Sequence, residues 1–425
     1  MEVNYKNKNY YNTAKYPIRQ PLIFTFLLYL VSKIALIGTK YKIEKKNMDG
    51  LKGPYILLSN HHYFIDFEIS AIATFPRRVN NVATVDGYYR RPLLMELLGC
   101  ICKRKFTTDL HLIKAIKKVL SRGDVLCMYP EARYTPIGTT AILPDSLGKL
   151  VKSCKVPVVV LLHHGNYLRT PFWNFRKVRK VPLCTTMTQI LTADDVAKMT
   201  ADEINAVIRD EMQYDEYGWQ KEQNIEISEI FRAEGLHKVL YLCPHCKSEF
   251  KMSSAEDRLF CMACGKEWVM DSLGRLSATE GETYFSHIPD WFEWEREQVS
   301  HEVRSGEYSF EDEVDIYSLP HPTKFEHLGN GILTHTVDGG FTLKGRYNGQ
   351  DYEINRTAQS MYGVHVEYDY CYLRPEDCID ISTEKDSFYC YPKKQNVVTK
   401  LSFATEEIYK YHMDKIKKEK VLKNG

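Results

Sequence analysis

Tyr55-Ile56-Leu57-Leu58-Ser59-Asn60-His61-His62-Tyr63-Phe64-Ile65-Asp66 opens as a short apolar run and closes on polar residues. A run of this length reads as a buried strand that delivers side chains to its carboxyl end. In open α/β sheets that end is where ligands bind. Asp66 starts a helix-like segment, and a carboxylate suits the first turn of a helix. A turn between strand and helix can fold Asp66 back onto His61. An imidazole steadied by a carboxylate is what a general base requires. His62 has the wrong spacing to Asp66 for that role and is expected to pack or to support.

Working outward, the flanking residues repeat the pattern. Strands are expected at Asn81–Val85, Asp124–Tyr129 and Val156–Leu162. Helices are expected at Arg91–Gly99, with proline near its start, and after Thr108-Asp109, which cap an amphipathic run ending at Gly123. Strands alternating with helices argue for an α/β domain with a mostly parallel sheet. Three polar corners then share one sheet edge: His61/Asp66, Glu131/Arg133 and the His163-His164 region, whose histidines are expected to be structural.

Length and composition set bounds. The chain has 425 residues, enough for two or three domains. Its apolar fraction of 44% and charged fraction of 26% are ordinary for globular proteins. A net charge of +2 gives no electrostatic footprint for nucleic acid. Residues 1–20 read as a loosely docked polar lead-in without a cleavable signal pattern. Of twelve cysteines, four form two CxxC pairs and eight are scattered, which suits a reducing, cytoplasmic compartment with one metal site.

Four blocks of the first half, taken in order, resemble the PlsC-type glycerolipid acyltransferases. Asn60-His61, four residues and Asp66 match the family's NHx4D block. Gly99-Cys100-Ile101-Cys102-Lys103-Arg104-Lys105 stands where the family has a Gly-x-Ile-Phe-x-x-Arg-like block. Tyr129-Pro130-Glu131-Ala132-Arg133 stands for Phe-Pro-Glu-Gly-Thr-Arg, and Val156–Val160 for Val-Pro-Ile-Val-Pro. The chain departs from the pattern twice. Lys105 replaces an arginine, and Arg133 follows Glu131 by two positions instead of three. The resemblance implies an O-acyltransferase in which His61 is the base and Asp66 orients it. It places Asn60, Lys105, Glu131 and Arg133 around the substrate. The donor it implies is an acyl thioester, acyl-CoA or acyl-carrier protein. The acceptor is a lysophospholipid-type hydroxyl, lysophosphatidate-like.

Pro21–Ile37 is strongly apolar between a proline and a glycine. As a helix it is roughly 25 Å long at ~1.5 Å per residue. That is short for a hydrocarbon core of about 30 Å, and Lys33 interrupts it. A monotopic or peripheral helix on a membrane surface is expected.

Beyond residue 200, Thr200-Ala201-Asp202-Glu203 is a capping box. Cys243-Pro244-His245-Cys246 and Cys261-Met262-Ala263-Cys264 follow, fourteen residues apart. Two such knuckles put four thiolates within reach of one structural Zn2+, a zinc ribbon with His245 a bystander. From about Tyr308 short alternating segments punctuated by Gly, Asn, Asp and Pro read as a mainly-β module. Its seven expected strands end with Lys400–Phe403, before a lysine-rich helix capped by Thr405; the order is pleckstrin-homology-like. The expected organisation is 1–235 acyltransferase, 238–275 zinc ribbon and 290–425 β module. Two rival readings are a non-catalytic lipid- or protein-binding scaffold on the same fold and a zinc-ribbon adaptor. Basic and aromatic residues around the ribbon are too few for nucleic acid.

Overall fold

The computed structural model describes residues 3–5, 10–107 and 109–424. Thr108, one of the two expected caps, lies outside them. Asp109 caps the helix, its carboxylate accepting from the N–H groups of His111 and Leu112 at 2.8 and 3.1 Å.

The first half is built on seven strands. They are β1 (Tyr41–Lys46), β2 (Ile56–Ser59), β3 (Val79–Thr84), β4 (Ile101–Lys103), β5 (Val125–Met128), β6 (Val158–His164) and β7 (Leu183–Leu191). Their order in the sheet is β1-β7-β6-β2-β5-β3-β4. β6, β2, β5, β3 and β4 run parallel. β7 turns antiparallel to β6, and β1 pairs parallel to β7. The sheet is therefore mixed, with a parallel block of five strands. β2 is fully buried, because it is central and covered on both faces. β1 and β7 are absent from the expected strands. β1 is lysine-rich, and β7 alternates Thr with Cys and Met, so neither carries an apolar run.

Helices α1 (Leu22–Ala35), α2 (Ile65–Thr74), α3 (Pro92–Leu97), α4 (Leu110–Ser121) and α5 (Ser146–Cys154) lie around this sheet. α4 buries Ala115, Ile116, Val119 and Leu120 against β2 and β5, as its periodicity requires. α1 is built the other way round. Its buried residues are Thr25 and Ser32, whereas Ile23, Phe26, Leu30 and Ile34 face outward. Among the described residues no helix is long and apolar enough to cross a membrane.

Strands β8–β11 (Met252–Ala255, Arg258–Cys261, Glu267–Met270, Leu276–Ala278) make a small antiparallel sheet around the CxxC knuckles. Helix Ile288–Ser305 leads from it into a seven-stranded antiparallel sheet. Those strands are β12 (Ser309–His321), β13 (Lys324–Thr336), β14 (Gly340–Tyr347), β15 (Gln350–Arg356), β16 (His365–Glu367), β17 (Cys378–Ser382) and β18 (Ser387–Pro392). Lys400–Phe403 is not a strand. It belongs to the terminal helix Val398–Asn424, inside which Thr405 also falls. β15 takes the seventh place instead.

The three parts share one apolar core. Phe172 and Trp173 of the first part, Trp268 of the small four-stranded sheet, Trp291 of the connecting helix and Phe341 of the β module belong to it. Trp268 and Trp291 meet edge to face, with ring centroids 4.9 Å apart. The described residues of the lead-in are docked rather than loose. Tyr5 is buried and donates to Ser318 at 2.7 Å, and Tyr11 donates to Glu96 at 2.7 Å.

Candidate active site

The carboxyl ends of β2, β3, β4 and β5 lie at one sheet edge and open into a cavity of about 1710 Å³. β2 is short, so the chain leaves the sheet at Asn60 and α2 starts at Ile65. That tight exit brings His61 and Asp66 together, with His61 Nδ1 3.0 Å from Asp66 Oδ2. The same oxygen accepts the backbone N–H groups of His62 and Tyr63 at 2.5 and 3.0 Å. Oδ1 accepts from Asn166 Nδ2 at 2.7 Å. Asp66 is thus fully buried and surrounded by donors. Burial alone would raise its carboxyl, but the hydrogen bonds from His61 and His62 outweigh that and hold it well below the usual range.

His61 lines the cavity with its side chain 20% exposed. Its ring stacks on Tyr129 at 3.8 Å and leans on Tyr134 at 4.3 Å. Burial lowers its pKa below 6.5, and the bond to Asp66 pulls only part of the way back. An imidazole neutral at pH 7, with Nδ1 committed to a carboxylate, presents the lone pair of Nε2. His62 is buried completely, outside the cavity lining, with its ring edge-on to Tyr214.

The other residues expected around the substrate are placed differently. Asn60 is buried and outside the cavity lining. Its Nδ2 donates to the His163 carbonyl at 3.0 Å and its Oδ1 accepts from the His163 N–H at 2.9 Å, stapling β2 to β6. Glu131 also faces away from the cavity. It accepts from the Ala141 N–H and from Tyr214 Oη at 3.1 Å each, and burial pushes its pKa up to about 7. Arg133 does line the cavity, but its guanidinium is paired with Glu406 of the terminal helix at 2.5 Å and bonded to Ser402 at 3.0 Å. Lys105 lines it too, with Nζ 2.8 Å from both Asp86 and Asp380 and 3.5 Å from Glu367. Both cations are answered from within the protein, mostly by carboxylates beyond residue 360. Sequence spacing could not show that, because the partners lie up to 275 positions away.

Lys103 lies at the end of β4, outside the expected set. It lines the cavity, donates to the Thr107 carbonyl at 2.7 Å, and has no ion pair among the described residues. The one available signal was alternation along β4, which puts Ile101 and Lys103 on the same face. Much of the remaining lining is apolar and includes Leu28, Phe67, Leu94, Leu98, Met128 and Leu147.

Away from the cavity, Cys243, Cys246, Cys261 and Cys264 cluster closely enough to hold a metal ion. Cys243 and Cys264 sulfurs are 3.8 Å apart, and those of Cys246 and Cys261 3.7 Å. A tetrahedral ion with metal–sulfur bonds of ~2.3 Å sets its ligands about 3.8 Å apart, so the four thiols fit Zn2+. Lys247 and Gly265 carry positive φ just after the knuckles, where the chain must turn tightly.

No family model matches the chain, and the search of curated proteins found no match. Among solved structures, one similar to it is the crystal structure of the 1-acyl-sn-glycerophosphate (LPA) acyltransferase PlsC from Thermotoga maritima. Identity is 12%, the TM-score is 0.36, and the match covers 44% of this chain and 75% of that one. The likeness is coarse.

Proposed function

We propose that the chain is an O-acyltransferase that moves a fatty acyl group from an acyl thioester to a hydroxyl of a glycerolipid-type acceptor. The observation that carries this reading is a His61–Asp66 pair opening into a large, mainly apolar cavity. An imidazole base needs only a substrate hydroxyl as nucleophile, and an apolar cavity suits an acyl chain.

In this mechanism His61 Nε2 takes the hydroxyl proton as the acceptor oxygen attacks the thioester carbonyl. Asp66 keeps the Nδ1–H tautomer and steadies the imidazolium. Of the Pro130–Arg133 turn, the Glu131 and Arg133 N–H groups are left for the oxyanion, since proline has none and Ala132 donates to the Tyr129 carbonyl at 3.0 Å. Collapse of the tetrahedral intermediate breaks the C–S bond, and the imidazolium returns its proton to the leaving thiolate. Coenzyme A and acyl-carrier protein both supply such a donor.

For a lysophosphatidate-like acceptor we assign the phosphate to Lys103. Arg133 or Lys105 could take it only by giving up Glu406 or the Asp86 and Asp380 carboxylates. The outward apolar face of α1 supports docking on a membrane surface, where such acceptors reside. Zn2+ in the cysteine cluster serves the fold and takes no part in the transfer. The test is acyl transfer from labelled acyl-CoA or acyl-carrier protein to a panel of lysolipids, comparing wild type with His61→Ala. Product formed equally by both would end this reading.

A further inference from the structure

Where the β module meets the cavity wall, four side chains crowd around Lys105. His365 and Glu367 lie two residues apart on β16 and so share a face of the sheet. Asp380 on β17 is the register partner of His365. Asp86, after β3, completes the set, and all four are buried.

The hydrogen bonding is incomplete in a particular way. Lys105 Nζ takes Asp86 Oδ2 and Asp380 Oδ2 at 2.8 Å. Asp380 Oδ1 is left buried without a partner. His365 Nε2 meets Glu367 Oε1 at 2.8 Å, and His365 Nδ1 is likewise buried without a partner. A buried acceptor without a donor is costly, so Asp380 Oδ1 calls for a partner; an ion shared with Glu367 would meet His365 at Nε2 in place of its hydrogen bond, because Nδ1 lies on the other side of the ring. Charge leads the same way. Three carboxylates against one ammonium leave a formal charge of −2. One divalent ion would cancel it.

Ligand atoms of His365, Glu367 and Asp380 lie within 4.8 Å of one another, close enough to share an ion. We propose that His365, Glu367 and Asp380 form a second metal site, for a divalent first-row transition ion, in the wall of the cavity. One imidazole and two carboxylates are a donor set for Mn2+, Fe2+ or Zn2+ and differ from the thiolate set of the ribbon. Lys105 then acts from outside, holding the far oxygen of Asp380 and leaving the near one to the ion. His365 and Glu367 also line the cavity, so open coordination positions face it. The site stands whether or not the cavity carries out acyl transfer.

Mn2+ is the probe, because a zinc-filled thiolate site does not take it up. Zinc-loaded full-length protein is titrated with Mn2+ while the resonance of the free hydrated ion is followed. One Mn2+ per chain should be bound. His365→Ala and Asp380→Asn should each weaken binding roughly tenfold or more, with melting curves confirming that both variants are folded. Lys105→Met removes the competing ammonium and should tighten binding. Absence of uptake by wild type at millimolar Mn2+ overturns the proposal, even if Lys105→Met binds, since Lys105 would then be the cation of the site. Uptake that His365→Ala leaves unchanged overturns it as well.

Discussion

His61 Nδ1 lies 3.0 Å from Asp66 Oδ2, and that oxygen also receives two backbone N–H groups from the turn between the two residues. The carboxylate therefore holds the loop and the imidazole in one geometry. General-base catalysis contributes about 10²–10⁴-fold, so His61→Ala should lower transfer by that factor. Asp66→Asn should cost a similar factor and also some stability, since it weakens the turn. Because burial keeps His61 below 6.5, the pH–rate profile should rise through an apparent pKa under that value and stay flat above it. Steady-state rates across pH check this. An ascending limb centred above pH 7 would point to a different base.

Glu131 gives a pH dependence of stability. Its carboxyl titrates near 4.5 when free and near 7 in the fold, because burial disfavours its charge. A raised acid binds its proton more tightly in the folded state. The contribution is complete below pH 4.5 and is lost as pH rises to about 7, worth about 3 kcal/mol over that interval. Glu131→Gln keeps a neutral, isosteric group against Tyr214. Denaturant titrations at several pH values should show wild-type stability falling across this window more steeply than that of the variant.

Lys103 is the test of the acceptor headgroup. Lys103→Ala should raise KM for a phosphate-bearing acceptor about tenfold, the loss of one charge-assisted contact, and leave KM for an uncharged acceptor unchanged. Equal effects on both would place the phosphate elsewhere.

The cysteine cluster should hold one tightly bound Zn2+. Serine at Cys261 should release it and loosen Trp268, on the strand paired with the one ending at Cys261, and Trp291, whose indole N–H donates to the Leu242 carbonyl beside Cys243 at 3.0 Å, because metal-binding energy there is folding energy. Metal analysis paired with tryptophan fluorescence reads both. A wild-type protein purified without chelator yet lacking zinc at these cysteines would refute the assignment.

The last prediction concerns α1. Ile23, Phe26 and Leu30 face outward while Thr25 and Ser32 face the protein, so the exposed side is the apolar one. Serine at all three should move the protein from sedimenting lipid vesicles to the supernatant, without lowering its melting temperature. High salt should not release the wild type, since the attachment is apolar.

Much of this protein was legible in its sequence because the signals are local. Tyr55–Leu58 is apolar over the length of a strand, so β2 had to be buried. His61 and Asp66 flank one turn, so their contact follows from a few backbone angles. The CxxC knuckles bring four thiols together through two tight turns and a hairpin. Alternation along the last third marked most of its strands. The sequence misled where a signal depends on what lies opposite. Lys400–Phe403 alternates like a strand but lies in the first two turns of a helix packed on the β module, where burial overrides pattern. Leu183–Leu191 carries little apolar signal and is a strand because β1 and β6 flank it.

Only the tertiary structure decided what the cations do. Lys105 and Arg133 stand where a phosphate could be held, but Asp380, Glu367 and Glu406 reach them from the far end of the chain. Charge pairing acts through distance in space, and no spacing along the chain encodes a partner some 270 residues away. Lys103, two positions from Lys105, lines the cavity with no ion pair among the described residues, and burial lowers its pKa while Asp109 pulls part of the way back.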